Sequence, residues 1–319
     1  MDLSEASKLF LKYCEVEKKL SPHTINAYRG DLQQFEKQVD FPKSLDRFTE
    51  IWINSAIHVW RSDPDLKAST IKRRLATIKV FVRWLFQEEL IASNITERLR
   101  LKIKIPKRLP RNVQTLEMRK LVAVDPEMLA ERVLVNGKTL WDRRQWDRLT
   151  ARLAIEILTL TGVRVGELVS IKIQDIDHTA RQIYILGKGN RERRVVFPDR
   201  VTSTRIRAYR QSVRQRFGND VTDALFLNGL GRPATDQYIR RIIRTFAENV
   251  ELIKRVTPHM LRHTAATQLL EAGVDIRFVQ KLLGHASITT TEIYTHVADH
   301  ALRERISRVN VRKRLEINR

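Results

Sequence analysis

The side chains best equipped for chemistry lie in residues 257–296, TPHMLRHTAATQLLEAGVDIRFVQKLLGHASITTTEIYTH. Planar, permanently charged Arg262, joined by Arg164 from an earlier block, can clamp the non-bridging oxygens of a phosphodiester in bidentate fashion. His259 and His285 can add hydrogen bonds or exchange protons near neutral pH. Tyr294 carries a phenol with an ordinary pKa of about 10, and such cationic surroundings would turn it into a nucleophile. Together these groups suit metal-free transfer of a phosphoryl group onto tyrosine. The phosphoester energy would be kept in the covalent intermediate, so rejoining would need neither ATP nor a metal, and no cofactor is expected.

These groups need helices and a hairpin to position them. Thr257 as N-cap and Pro258 at the first helical position open a helix that runs to Gly273. It places His259 and Arg262 on one face and Leu261, Ala265 and Leu269 on another. His263, four residues beyond His259, reads as a structural histidine beneath the site. A second helix, about 275–283, turns Ile276, Val279 and Leu283 inward and stops at Gly284, one residue before His285. Upstream, a helix over about 145–160 buries Leu149, Leu153, Ile157 and Leu160 and ends at Thr161-Gly162. It leads into VRVGEL, where Arg164 and Glu167 stand three apart, so that the carboxylate can orient the guanidinium. Residues 183–186 and 194–197 are β-rich and flank Gly187-Lys188-Gly189-Asn190, a hairpin pattern.

In order and spacing these blocks resemble the signature of the tyrosine recombinases, the phage-integrase and Xer-type family of DNA strand-exchange enzymes. PHMLRHT is similar to its H-x-x-R-H block, LLGH to its second histidine, TTTEIYTH to its nucleophile segment, TGVRVGEL to its first arginine block and GKGNRER to its G-K-G hairpin. The resemblance implies Arg164, Lys188, His259, Arg262, His285 and Tyr294 as catalytic residues, with Lys188 protonating the departing oxygen and with Glu167 and His263 in support. It also implies a 3′-phosphotyrosyl intermediate, a free 5′-hydroxyl and a Holliday junction. Its fold would be mainly α: a helical N-terminal core-binding domain, then a mixed α/β catalytic domain with a small antiparallel sheet. Its partners would be double-stranded DNA sites and a homo-tetramer assembled from dimers on synapsed DNA, with accessory proteins in some systems.

Charge agrees with a polyanionic partner. The 319 residues carry 59 Lys+Arg against 37 Asp+Glu, a formal charge of +22. Residues 1–97 hold 15 basic and 14 acidic side chains, leaving 44 and 23 for residues 98–319. This asymmetry suggests two domains, and the resemblance implies that they are a helical, DNA-clamping core-binding domain (1–97) and a catalytic domain (113–319), joined by a basic linker (98–112). In the first, Ser21 caps a helix with Pro22 at its first position and a stripe of Ile25, Tyr28, Leu32 and Phe35. A helix starting near Ser69 buries Ile71, Leu75, Ile78, Val82 and Leu85 and sets Lys72, Lys79 and Arg83 along a different side, where they could follow a phosphate backbone. The linker, with Lys102, Lys104, Lys107, Arg108 and the prolines Pro106 and Pro110, reads as an extended segment lying against phosphates, a short edge strand over 99–105 being the alternative. Thr115 is expected to cap the first catalytic-domain helix. Residues 125–148 read as a turn at Gly137 and local packing by Trp141 and Trp146, with no assigned role. Basic helices over 202–217 and 235–249, the latter with Arg240, Arg241 and Arg244, could face the duplex. Ala298, Leu302, Ile306 and Val309 recur at helical spacing, and the resemblance implies that this 298–309 helix docks into a neighbouring protomer; folding back on its own domain is the alternative.

Other functional classes fit less well. His259 and His263 could share a zinc ion, but no H-E-x-x-H glutamate lies between them. A non-cleaving DNA-binding protein on the same scaffold would be expected to have lost some of the six catalytic positions. A type IB topoisomerase shares the chemistry but has a different C-terminal segment. The single cysteine, Cys14, allows neither an internal disulfide nor a cysteine zinc site. No apolar run is long enough to span a membrane and no leader-like stretch follows Met1. The expected location is the cytoplasm, in association with the nucleoid.

Overall fold

The computed structural model describes residues 1–38, 44–97, 112–123, 133–135, 138–140, 142–187, 191–219, 221–252 and 255–284. Lys102, Lys104, Lys107, Arg108, Trp141, Lys188, His285, Tyr294 and the helix expected over 298–309 lie outside them. The chain divides into two compact units, Met1–Arg108 and Leu109–Arg319.

The first unit is helical: α1 (Leu3–Val16), α2 (Pro22–Glu36), α3 (Glu50–Ser62) and α4 (Ala68–Gln87). The Ser21 hydroxyl accepts a hydrogen bond from Thr24 N at 3.3 Å, so α2 begins where the Ser-Pro pair predicts. The apolar stripe of α4 is buried throughout. Phe10 meets Phe81 edge-on at 5.3 Å, joining α1 to α4. Asp31 of α2 is buried and accepts from Arg73 and, at 2.8 Å, from the Thr77 hydroxyl of α4. A buried carboxylate needs such partners, and here they tie α2 to α4.

The second unit comprises α5 (Thr115–Ala123), β1 (Val133–Val135), β2 (Lys138–Leu140), α6 (Arg143–Thr161), α7 (Val165–Ser170), β3 (Ile176–Asp177), β4 (Gln182–Gly187), β5 (Arg191–Val196), α8 (Arg200–Phe217), α9 (Asp236–Asn249), α10 (Pro258–Glu271) and α11 (Ile276–Leu283). Thr115 is the first residue of α5 rather than its cap. Glu117 reaches back to accept from Gln114 N at 2.9 Å, which makes Gln114 the capped position. β1 and β2 form an antiparallel pair with Val135 opposite Lys138. The hairpin could have been anticipated from the Asn136-Gly137 pair between the two runs. Trp146 is fully buried, donates to the Leu227 carbonyl at 3.1 Å and meets Phe217 edge-on.

Helix α6 departs from the expected single buried stripe. Residues 150–158 are all buried, whereas Leu149 and Leu160 are only half-buried. The helix is central because its charges are neutralised from elsewhere. Arg152 pairs with Glu156 at 3.0 Å, and Glu156 also accepts from Thr202 and Arg205 of α8. Strands β3, β4 and β5 form an antiparallel sheet in that order, with Ile183 opposite Val195 and Gly187 opposite Arg191. Among the described residues, no helix is long and apolar enough to cross a membrane.

Candidate active site

Helix α10 begins as its sequence requires: Thr257 accepts from Met260 N at 3.3 Å and Pro258 occupies the first turn. Almost every side of the helix is covered, so Arg262, one turn in, is buried with only 7% of its surface exposed. Its guanidinium donates to the carbonyls of Gly162 and Leu283, the latter at 2.8 Å. Gly162 ends α6 in the left-handed conformation (φ +63°), and a Cβ there would lie 2.6 Å from a Leu283 methyl. Glycine is required at this position both for the turn and for the approach of α11.

Arg164 precedes α7. Glu167, in the first turn of that helix, accepts from Arg164 N at 2.7 Å and from the Arg164 guanidinium at 3.0 Å. The expected Arg164–Glu167 contact is therefore present, but it is not the carboxylate's main one. Arg193 of β5 binds Glu167 with both terminal nitrogens, at 2.8 and 2.7 Å. Sequence reading missed Arg193 because it sits in the basic run Arg191–Arg194. Its signal was the strand's alternation: Val195 and Phe197 are fully buried, which puts Arg193 on the same inward face.

Burial alone would raise the pKa of Glu167. The hydrogen bonds from Arg193 and Arg164 N, with the two guanidinium charges, outweigh it and hold the carboxyl at about 2 against an ordinary 4.5. A carboxylate depressed on folding stabilises the folded state above its unfolded pKa, and this contribution is lost as pH falls through the folded value. In denaturant unfolding, the stability difference between the natural chain and Glu167→Gln should shrink by ~3 kcal/mol on acidification from above 4.5 to below about 2. An unchanged difference across that window would show that the carboxylate does not depend on its two arginines.

The two arginines meet Arg262 at the end of α11. Arg193 Nε donates to Leu282 O at 3.0 Å, Arg262 to Leu283 O and Arg164 to Gly284 O at 3.1 Å. Three consecutive carbonyls at the negative end of a helix thus each receive a guanidinium from a different part of the unit. Gly284 closes α11 in the left-handed conformation (φ +65°) and stands directly before His285. This tripod holds the C-terminal end of α11 in place.

His259 is exposed, and its pKa is lowered by desolvation first, then by the charges of Arg240, Arg262 and Arg164. His263 is half-buried, and its pKa is lowered by burial, His259 and Arg262. Both imidazoles are therefore biased toward the neutral form, as a hydrogen-bonding or proton-accepting group requires. The structure thus gathers Arg164, Glu167, His259, Arg262 and His263 at one place.

Of the residues expected at DNA, Lys72 and Arg83 are exposed on α4 and Lys79 is half-buried. On α9, Arg240 is exposed. Arg241 pairs with Asp147 at 2.9 Å and lies over the Tyr238 ring, and Arg244 approaches Glu248 at 3.7 Å. The Arg244–Glu248 contact is exposed on both sides and weak enough to exchange for phosphate, whereas Asp147 is half-buried and also accepts from the Tyr238 hydroxyl.

Comparison with known proteins gives a consistent picture. The phage integrase family model matches residues 136–301, and the phage integrase N-terminal SAM-like domain matches residues 8–89. The chain is 36% identical to the tyrosine recombinase XerC of Herpetosiphon aurantiacus, over 91% of this chain and 90% of that one. It is 34% identical to the tyrosine recombinase XerD of Staphylococcus haemolyticus, over 92% and 95%. Among solved structures, the XerH site-specific recombinase bound to palindromic difH substrate in a post-cleavage complex matches with TM-score 0.68 and 25% identity, covering 94% of this chain and 84% of that one. A lambda integrase dimer bound to a COC′ core site matches in fold, with TM-score 0.67 and 18% identity over 91% and 97%.

Proposed function

Because the chain belongs to the phage integrase family and is a tyrosine recombinase, an enzyme that cleaves and rejoins DNA at specific sites, we propose that Tyr294 is its nucleophile and Arg164 and Arg262 its phosphate clamp. The phenolic oxygen attacks the scissile phosphorus and the bond to the 5′-oxygen breaks. The products are a 3′-phosphotyrosyl link and a free 5′-hydroxyl. Lys188 supplies the proton to the departing oxygen, and neutral His259 is a base available to the phenol proton. Arg164, Arg262 and His285 stabilise the charge that builds on the non-bridging oxygens, where preorganised donors act most strongly. Attack by the freed hydroxyl on a partner's phosphotyrosine reverses these steps on a new strand and passes through a Holliday junction.

The observation that carries this reading is the arginine tripod. Arg164 and Arg262, 98 residues apart in sequence, bind adjacent carbonyls at the end of α11, one residue before His285. Tyr294 follows nine residues later. Covalent capture of the protein on nicked genomic fragments, followed by sequencing of the captured ends, tests both the activity and the site. Absence of any protein-bound end in the presence of intact, DNA-binding protein would refute the proposal.

We assign residues 1–97 to DNA clamping, 98–112 to a phosphate-bound linker and 113–319 to catalysis. Lys72, Lys79, Arg83, Lys102, Lys104, Lys107, Arg108, Arg240, Arg241 and Arg244 are the proposed phosphate contacts. DNA as substrate would place the protein with the nucleoid. A tetramer on synapsed DNA is the proposed working assembly. The lambda integrase tetramer bound to a Holliday junction shares the fold, at TM-score 0.66 and 18% identity over 92% of this chain and 76% of that one. Deleting residues 298–319 should abolish tetramer formation and strand exchange while single-site DNA affinity changes by less than about threefold. Native gels and exchange assays on the captured site read the two effects, and a truncated protein that still exchanges strands would exclude the 298–309 helix as the exchange element.

A further inference from the structure

The reading of Arg164 as a phosphate ligand leaves a difficulty that the structure itself answers. A carboxylate three residues from an arginine on one short helical turn is placed to take both prongs of its fork, which would withdraw the guanidinium from any phosphate. Here Glu167 does not do so. Its two oxygens are already bound by Arg193, and Arg164 keeps one side-chain contact to Glu167, through a single nitrogen, and turns its other terminal nitrogen to Gly284 O. Two guanidinium charges share one carboxylate, so this cluster retains one net positive charge. Their exposures divide the roles: the Arg193 side chain is 14% exposed and that of Arg164 is 42% exposed.

Arg193 is also locked in place. Its Nε donates to Leu282 O, and its guanidinium lies so close to Gly284 that a Cβ there would stand 3.0 to 3.1 Å from three of its atoms. It belongs to the inner face of β5, opposite Ile185 on β4, and Lys188 lies in sequence between these two strands. One side chain therefore joins the β4–β5 hairpin, Glu167 and the end of α11.

Resting on the assignment of Arg164 to the phosphate clamp, we infer that Arg193 is a positioning residue for DNA cleavage, which occupies Glu167 so that Arg164 stays available to the scissile phosphate and which fixes the end of α11 ahead of His285. Arg193 itself is not proposed to touch DNA. Without it, the guanidinium that these contacts leave to Glu167 is that of Arg164. That carboxylate would both compete for the guanidinium and repel the phosphate.

The test uses the full chain and a nicked duplex carrying a captured end sequence, with single-turnover formation of the covalent adduct as readout. Arg193→Gln should slow cleavage about 100-fold, the scale of a misplaced catalytic group, with DNA affinity within about threefold and a cooperative melt. Adding Glu167→Gln to that variant should recover about tenfold of the loss, because the competing charge is removed. A merely structural strut predicts the opposite: two lesions in one cluster, with the double variant no faster than the single. If Arg193→Gln does not fold, Arg193→Lys replaces it, keeping the charge without the fork. It should show a smaller loss that Glu167→Gln again relieves. Natural-rate cleavage by the Arg193 variant, or a double variant that is no faster, overturns the inference while leaving the clamp assignment standing. Failure of the natural chain itself to form an adduct would instead overturn the assignment on which the inference rests.

Discussion

Tyr294→Phe should bind its DNA site as tightly as the natural chain and form no covalent adduct. The substitution removes one oxygen, leaving the charge of every other proposed participant unchanged, so binding through phosphate contacts is preserved. Cleavage has no second nucleophile in the proposed scheme. A loss of at least about 10⁴-fold is expected, as when a covalent nucleophile is deleted from an enzyme whose remaining groups are intact. Denaturing gels of protein incubated with a nicked, end-labelled duplex would report it directly. An adduct that persists in the variant would move the nucleophile to another residue and remove the basis for the whole mechanism.

Arg262→Lys is the second large effect. Lysine keeps the positive charge but replaces the planar fork with a single ammonium, which cannot reproduce two divergent bonds to Gly162 O and Leu283 O while also facing a phosphate. Because the site is buried, a carbonyl left without a donor costs about 1–3 kcal/mol of stability. The loss of an aligned donor at the developing charge should slow cleavage about 10²–10³-fold. The variant should still bind DNA, so single-turnover cleavage and DNA affinity measured on one preparation separate the chemical defect from misfolding. Cleavage within about threefold of the natural rate would remove Arg262 from the clamp.

The helical framework was legible because its signals are local. Ser21-Pro22 and Thr257-Pro258 begin α2 and α10 where capping chemistry demands, and Gly162 and Gly284 end two other helices, α6 and α11, in the left-handed conformation. The stripe on α4 follows from apolar spacing alone. The catalytic blocks could be identified because residue type and spacing survive without knowledge of the fold. The surroundings of α6 could not be identified in this way. Arg152 and Glu156 read as solvent-facing in a periodicity argument, and partners from other helices make their burial tolerable: Thr202 and Arg205 of α8 at Glu156, and the Val122 carbonyl of α5 at Arg152.

The sequence by itself singled out the groups proposed for the chemistry, two arginines with a lysine, histidines and a tyrosine, and the helices that frame the two arginines, because caps, glycine stops and apolar periods act within a few residues. Tertiary structure alone decided whom the charges serve. Glu167 is three residues from Arg164, yet its main partner is Arg193, 26 residues away. Arg164 and Arg262 each reach carbonyls of the α11 terminus, far along the chain. A charged side chain brought out of water takes whatever counter-charge or carbonyl the packed elements present to it. That choice is settled by where the helices and the hairpin come together, which no short stretch of sequence encodes.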